Sequence, residues 1–362
     1  MNVDPMTMVR ARWALREAAR NYLFDPNVSL IDFGNPEHDG EIAQGELAIR
    51  IHVRKKLSGM ALETAVAAGY TRPIPPSIGG FPTDVPEGNY RPHFWPWRGG
   101  RRPPRPANPR TTRTDPMRGG ISASDEYHNA AGTLGARVLD RTTGAAMILS
   151  NWHVLVASWG ARPGQRIFQP GRLDGGTDAD SVATLTRDAM SSNLDAAVAT
   201  LDGSRGLIND QLDLGPVTGV GRAELGMELM KSGRTSGTTH AVVTAVEGIA
   251  RMTYGYVERI IRNVVTLDPL NAGQVSEAGD SGSLWLDAAT TRAIGLHFAG
   301  SSFPERGLAL DIQAVLDALS VDLDIPAASP HPPGPRAPHS QPARLSAGAG
   351  QRAPQLSSLR RR

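Results

Sequence analysis

A histidine, an aspartate and a serine each stand at the edge of an apolar stretch: His153 in S-N-W-H-V, Asp195 in N-L-D-A-A-V-A and Ser281 in G-D-S-G-S. A serine hydroxyl is a weak nucleophile at neutral pH and needs a base to take its proton as it attacks. Imidazole, which titrates near neutrality, suits that task. The imidazole in turn needs a carboxylate that fixes its tautomer and stabilises the cation it becomes. Glycines at 279 and 282 permit a tight loop in which the N–H groups of Gly279 and Ser281 converge on a developing oxyanion. Taken singly, the three motifs read as a turn, a core histidine and a strand-capping aspartate. Together, in the order base, acid, nucleophile, they point to acyl transfer.

The flanking elements are those that would hold such residues. TLGARVLDR and AAMILSN flank T-T-G as a hairpin that delivers His153. SVATLTR (181–187), LDAAVATL (194–201), GMELMKSG (226–233), AVVTAVEGIA (241–250), IIRNVVTL (260–267), SLWLD (283–287), AIGLHFAG (293–300) and GLALD (307–311) continue as short strands. IQAVLDAL (312–319) closes the series as an amphipathic helix. Regularly spaced strands with little helix between them predict an all-β barrel or sandwich.

Upstream, residues 5–24 carry apolar side chains at helical spacing, and VSLIDFG (28–34) and ELAIRIHVRKK (46–56) read as strands. In the second, Leu47, Ile49, Ile51 and Val53 alternate with polar residues, which predicts one buried face. MALETAVAAG (60–69) reads as a short helix, and IPPSIGGFPTDV (74–85) as too rich in Pro and Gly for regular structure. The expected organisation is a small α+β domain over 1–90, an Arg/Pro-rich linker over 91–118, a catalytic domain over 119–325 and a disordered basic tail over 326–362.

The chain of 362 residues has a formal net charge of only +2, and its positive charge is almost all arginine, with lysine at 55, 56 and 231 alone. The balance argues against nucleic acid as the partner. Cysteine is absent, so no disulfide framework holds the fold. The N-terminus interrupts its apolar residues with charge, leaving no run for a signal peptide or membrane span. The expectation is a cytoplasmic protein with no integral membrane contact.

With these motifs in place, residues 119–321 resemble a trypsin/chymotrypsin-like serine peptidase. The resemblance implies a mainly β, double β-barrel fold with the site in the cleft between barrels. It assigns His153 as base, Asp195 as orienter, Ser281 as nucleophile, and Gly279 with Ser281 as oxyanion donors. The histidine motif departs from the family's usual form in lacking the adjacent cysteine. The blocks IPPSIGGFPTDV, GTLGARVLDRTTG, LSNWHVL, QPGRLDGG, KSGRTSG and GDSGSLWLD extend the likeness across most of 1–321. They resemble a cysteine-poor group of bacterial trypsin-like proteins related to plant narrow-leaf proteins.

No metal or organic cofactor is implied, and the expected partner is a protein or peptide substrate. A second copy of the chain or a regulatory protein stays open. Val275, six residues before the nucleophile, offers no carboxylate for a basic substrate residue. Asp280 reads as structural, and Glu277 is near the pocket in sequence. His297 in GLHFAG resembles the pocket-lining histidine of glutamyl endopeptidases, which implies an acidic P1 residue. Arg234 is read as a brace on backbone carbonyls. The leading expectation is an active serine endopeptidase. Two alternatives are a protease-fold scaffold with little or no activity and a dormant protease activated by a partner or by self-cleavage.

Overall fold

The structure, a computed structural model, describes residues 3–38, 40–92, 108–271 and 273–325. The expected disordered tail and residues 93–107 of the expected linker lie outside these. Helix α1 (Pro5–Tyr22) begins where the Asp4 carboxylate accepts the Thr7 N–H, with Pro5 in the first turn. It buries Ala11, Ala14, Leu15 and Ala18 on one face. Strands β1 (Val28–Gly34) and β2 (Ala48–Val53) follow, then helix α2 (Gly59–Ala67) and the two-residue strand β3 (Arg91–Pro92).

The next run is β4 (Ser122–Asp125), β5 (Gly132–Thr133), β6 (Ala136–Asp140), β7 (Ala146–Ser150), helix α3 (Trp152–Leu155), β8 (Arg166–Phe168), β9 (Ser181–Asp188) and β10 (Ala197–Leu201). After it come β11 (Glu228–Gly233), β12 (Gly237–Tyr254), β13 (Val257–Pro269), β14 (Leu284–Asp287), β15 (Arg292–Ser302), β16 (Glu305–Asp311), helix α4 (Ile312–Leu319) and β17 (Val321–Leu323).

The protein is mainly β, as its strand patterning predicts. An eight-stranded sheet runs β5-β4-β8-β9-β10-β7-β6-β17. A second sheet runs β11-β14-β15-β16-β13-β12, and β12 pairs back onto β11, which closes these strands into a ring. The two share a core through Leu149, Leu155, Val198, Leu296 and Phe298.

β12 and β13 form a hairpin far longer than the strands read from sequence. The inner half of β12 pairs with β11, with Val242 opposite Glu228, and its outer half pairs with β1, with Ala250 opposite Leu30. Register shifts between Val243 and Ala250 separate the halves. Bulges of this kind bend a strand and re-aim it, so one hairpin serves the ring at its base and another layer beyond.

That continuity joins residues 1–90 to the rest. β1 pairs with β12 and β2 with β1, so the segment read as a separate α+β domain extends the same sheet. All six residues of β2 are buried rather than every other one, because Arg50 and His52 close on Asp32 of β1. The Pro/Gly-rich stretch contains short strands at Ser77–Ile78 and Phe81–Asp84, the latter parallel to β2. Within residues 108–118, expected in a solvated linker, two side chains are anchored: Met117 is buried, and buried Arg110 donates to Ser232 Oγ and to the carbonyls of Gly120 and Gly233. Among the described residues, no helix is long and apolar enough to cross a membrane.

Candidate active site

His153 lies in α3, one turn of helix directly after β7. Its Nδ1 is 2.5 Å from Asp195 Oδ2, and its backbone N–H donates to Oδ1 at 3.1 Å. The Asn151 side chain donates to the Asp195 carbonyl at 2.7 Å, tying the start of the helix to the residue that precedes β10. One carboxylate thus fixes both the ring and the backbone of the histidine. Asp195 is wholly buried, and no arginine or lysine pairs with it among the described residues.

A further donor reaches that carboxylate. The Tyr254 hydroxyl, at the end of β12, donates to Asp195 Oδ2 at 2.7 Å. Burial, and then the nearby Asp195 charge, push the phenol well above its ordinary range. It therefore keeps its proton at any working pH and acts only as a donor. Sequence reasoning missed Tyr254 because 59 residues separate it from Asp195, and nothing local marks it.

Ser281 sits in a loop built around its neighbour. The buried Asp280 carboxylate accepts from Lys231 Nζ at 2.9 Å, from the Glu277 and Thr235 N–H groups at 2.9 Å and from the Ser236 N–H at 3.0 Å. Burial alone would raise this carboxyl; Lys231, the Ser236 hydroxyl and the backbone donors outweigh it and hold it well below the usual carboxylate range. The structural reading of Asp280 thereby gains a partner that the sequence reading left out. A lysine inside an apolar strand of a lysine-poor chain was the available signal.

Gly279 has φ of +103°, and a Cβ there would lie 2.4 Å from Thr235 Oγ1, so both conformation and space require glycine. The N–H groups of Gly279 and Ser281 donate to no acceptor among the described residues. β5 joins this loop to α3. The Thr133 N–H donates to the Ser281 carbonyl at 2.7 Å, and Thr133 Oγ1 donates to the Gly279 carbonyl at 2.9 Å. A Cβ on Gly132 would meet Val154 at 2.4 Å and the Ser281 carbonyl at 3.0 Å. The residue beside His153 and the backbone of Ser281 therefore both crowd the space where a Gly132 side chain would sit. Ser281 Oγ donates to the Phe298 carbonyl of β15 at 3.3 Å.

His153 opens onto a cleft of about 740 Å³ whose walls include Trp152, Trp159, Tyr254 and Tyr256. Residues of the N-terminal 90, among them Arg54 and Asn89, line its other side with Arg91 of β3.

His297 lies on β15, its backbone bonded to Gly282 and Ser283 of the Ser281 loop. Its ring is completely buried, its Nδ1 accepts the Trp285 indole N–H at 3.3 Å, and it is absent from the walls of the cleft. Trp285 thus occupies Nδ1 of His297, and Ser281, equally buried, is likewise not among the residues lining that cleft. Arg234 differs from expectation: it grips the Asp174 carboxylate through Nε at 2.7 Å and through Nη2, rather than carbonyls. Val275 is buried, and Glu277 is exposed and accepts from Gln274. Among the described residues, no group of three or more His, Cys, Asp or Glu could hold a metal ion.

No family model and no curated protein matches this sequence. Its neighbours among solved structures are bacterial trypsin/chymotrypsin-like serine proteases. It is similar to Thermobifida fusca protease A, with 16% identity over 57% of this chain and 97% of that one and a TM-score of 0.43. It is similar to Cellulomonas bogoriensis chymotrypsin, with 18% identity over 58% and 98% and a TM-score of 0.42. A glutamic acid-specific serine protease described as using a histidine triad in substrate binding matches with 20% identity over 57% and 100% and a TM-score of 0.43.

Proposed function

We propose that this chain is a serine endopeptidase with Ser281 as nucleophile, His153 as general base and acid, and Asp195 as the carboxylate that orients it. The observation that carries the reading is the buried His153–Asp195 pair at 2.5 Å, on a helix packed through Gly132 against the Ser281 backbone. His153 takes the Ser281 proton as Oγ attacks the scissile carbonyl, and Asp195 stabilises the imidazolium. The Gly279 and Ser281 N–H groups receive the oxyanion of the tetrahedral intermediate. The imidazolium then gives its proton to the leaving amine, and an acyl-enzyme remains. Water enters, loses a proton to His153 as it attacks the ester, and the returning proton restores the Ser281 hydroxyl as the product acid departs.

The brace on the Ser281 loop comes from within the chain, since Lys231 supplies the cation on Asp280. That favours a site assembled on folding, with no new chain terminus needed to set the loop. Trp285 occupies only Nδ1 of His297, and an acidic P1 preference stays part of the proposed reading.

The test is turnover of a peptide pool by wild type and Ser281→Ala, alongside labelling by a fluorophosphonate. We expect labelling of the wild type alone and a loss of turnover on the order of a millionfold in the variant. Equal hydrolysis by the two chains would refute the assignment. Tight peptide binding with no labelling would instead indicate a protease-fold binding protein.

A further inference from the structure

The cleft beside His153 is cationic. No aspartate or glutamate lines it among the described residues, whereas Arg54, Arg91 and Arg251 do. The three arginines are not equivalent. Arg251 is spent: its Nε and Nη2 hold the Glu258 carboxylate, and its Nη1 donates to the Leu23 and Asp25 carbonyls. Arg54 donates to Asn89 Oδ1 at 3.3 Å and makes no ion pair among the described residues. Arg91 is exposed and likewise makes none.

Crowding reinforces the point. Burial, and then the charges of Arg251 and Arg91, push the Arg54 guanidinium below its ordinary value despite an opposing pull from Glu258. Two cations that repel each other across a cavity lined with tryptophan and tyrosine form a site for an anion with an apolar stem.

Position ties this site to the chemistry. β3 pairs antiparallel with β15, with Arg91 opposite Gly300 and Pro92 opposite Ala299. Gly300 lies two residues beyond Phe298, whose carbonyl accepts from Ser281 Oγ. At the rise of a strand that is about 7 Å, or two residues of an extended peptide. Arg54 is brought to the same cleft by the end of β2, which β1 anchors to the barrel hairpin.

We propose that Arg54 and Arg91 select peptide substrates bearing an aspartate or glutamate a few residues from the cleaved bond. This deepens the endopeptidase reading and rests on Ser281 being its nucleophile. It gives the N-terminal 90 residues a task, since Arg54 comes from them: they supply a wall of the substrate cleft.

The experiment uses the full chain and a peptide series with Glu or Gln at each position on both sides of the scissile bond. At one position Glu should exceed Gln by about tenfold in kcat/KM, and about 1 M salt should erase most of the difference. Arg54→Gln and Arg91→Gln should each reduce the preference to about threefold or less, with fluorophosphonate labelling of Ser281 unchanged. Arg91 is exposed, so its variant keeps the proposal testable if Arg54→Gln fails to fold. Fluorescence anisotropy of Glu and Gln peptides on the Ser281→Ala chain reads the cleft without turnover. Tighter binding of the Glu peptide, lost in the arginine variants, supports the proposal. Equal binding, or a preference that survives both substitutions, overturns it. Absence of labelling in the wild type overturns the endopeptidase reading, and the anisotropy arm still decides the cleft.

Discussion

Among the described residues there are two buried histidine–aspartate pairs, and their settings are opposite. In one, Asp32 accepts from Arg50 Nε at 2.8 Å and Nη2 at 2.9 Å and from Thr266 Oγ1 at 2.6 Å, with His52 Nε2 at 3.3 Å. The other ring nitrogen of His52 meets the Tyr90 hydroxyl at 2.8 Å. Burial is the largest influence on that ring and holds it below its ordinary value. In the other pair, Asp195 has His153, Asn151 and Tyr254 around it and no cation but what His153 becomes. His153 lines an open cleft, whereas His52 is sealed. Chemistry therefore does not follow from the residue pair. It needs a carboxylate whose charge is left for the imidazolium, and a ring with a face toward substrate.

Substitutions at the two aspartates should break along that line. Asp195→Asn should leave a folded chain and lower kcat on the order of 10⁴-fold, because the wrong tautomer is then favoured. Asp32→Asn leaves Arg50 buried without its carboxylate and should destabilise the fold by about 3–5 kcal/mol, with kcat retained in the folded fraction. Denaturant unfolding and active-site-titrated kinetics measure both. Similar effects at the two positions would dissolve the distinction.

Acid should expose the structural carboxylates next. Asp32 and Asp280 are held below the usual carboxylate range in the folded chain, by Arg50 and His52 in one case and Lys231 in the other. A depressed folded-state value means the stabilisation is complete above the unfolded value, about 4, and is lost progressively as pH falls from there toward the lower folded value. The thermal midpoint should hold down to about pH 5 and fall below about pH 4. A midpoint that stays level to about pH 3 would contradict this assignment.

The smallest effect, and the finest test of the comparison, is Tyr254→Phe. Losing one donor on Asp195 should lower kcat roughly tenfold with KM unchanged. The carboxylate, less satisfied, should bind the imidazolium more strongly, so the acid limb of the pH–rate profile moves to higher pH. A merely structural tyrosine would leave that limb in place.

The sequence made the chemistry legible where it is local. Glycines around Ser281 announce a loop, and His153 and Asp195 each adjoin an apolar run; the structure brings the latter two into one hydrogen-bonded pair. Reading apolar runs between turn residues placed β6, β7 and β10 within a few residues. Alternation failed at β2, since it assumes polar side chains face water, and Arg50 and His52 instead face Asp32. It failed again at β3, where arginine and proline read as linker and only pairing with β15 makes a strand. Lys231, Tyr254 and Arg54 matter through partners far along the chain, which no window of neighbouring residues contains.

β3 has one more consequence. A strand edge beside a nucleophile is a template that any extended peptide can copy with its own main chain. Here the chain has already copied it: Arg91 and Pro92 lie along Gly300 and Ala299, and Pro92 has no N–H with which to carry the pattern outward. On the proposed reading, an arriving substrate meets a covered edge at these residues and is recognised there by its side chains. Peptides carrying proline or N-methylated residues there should be cut nearly as well as their parents.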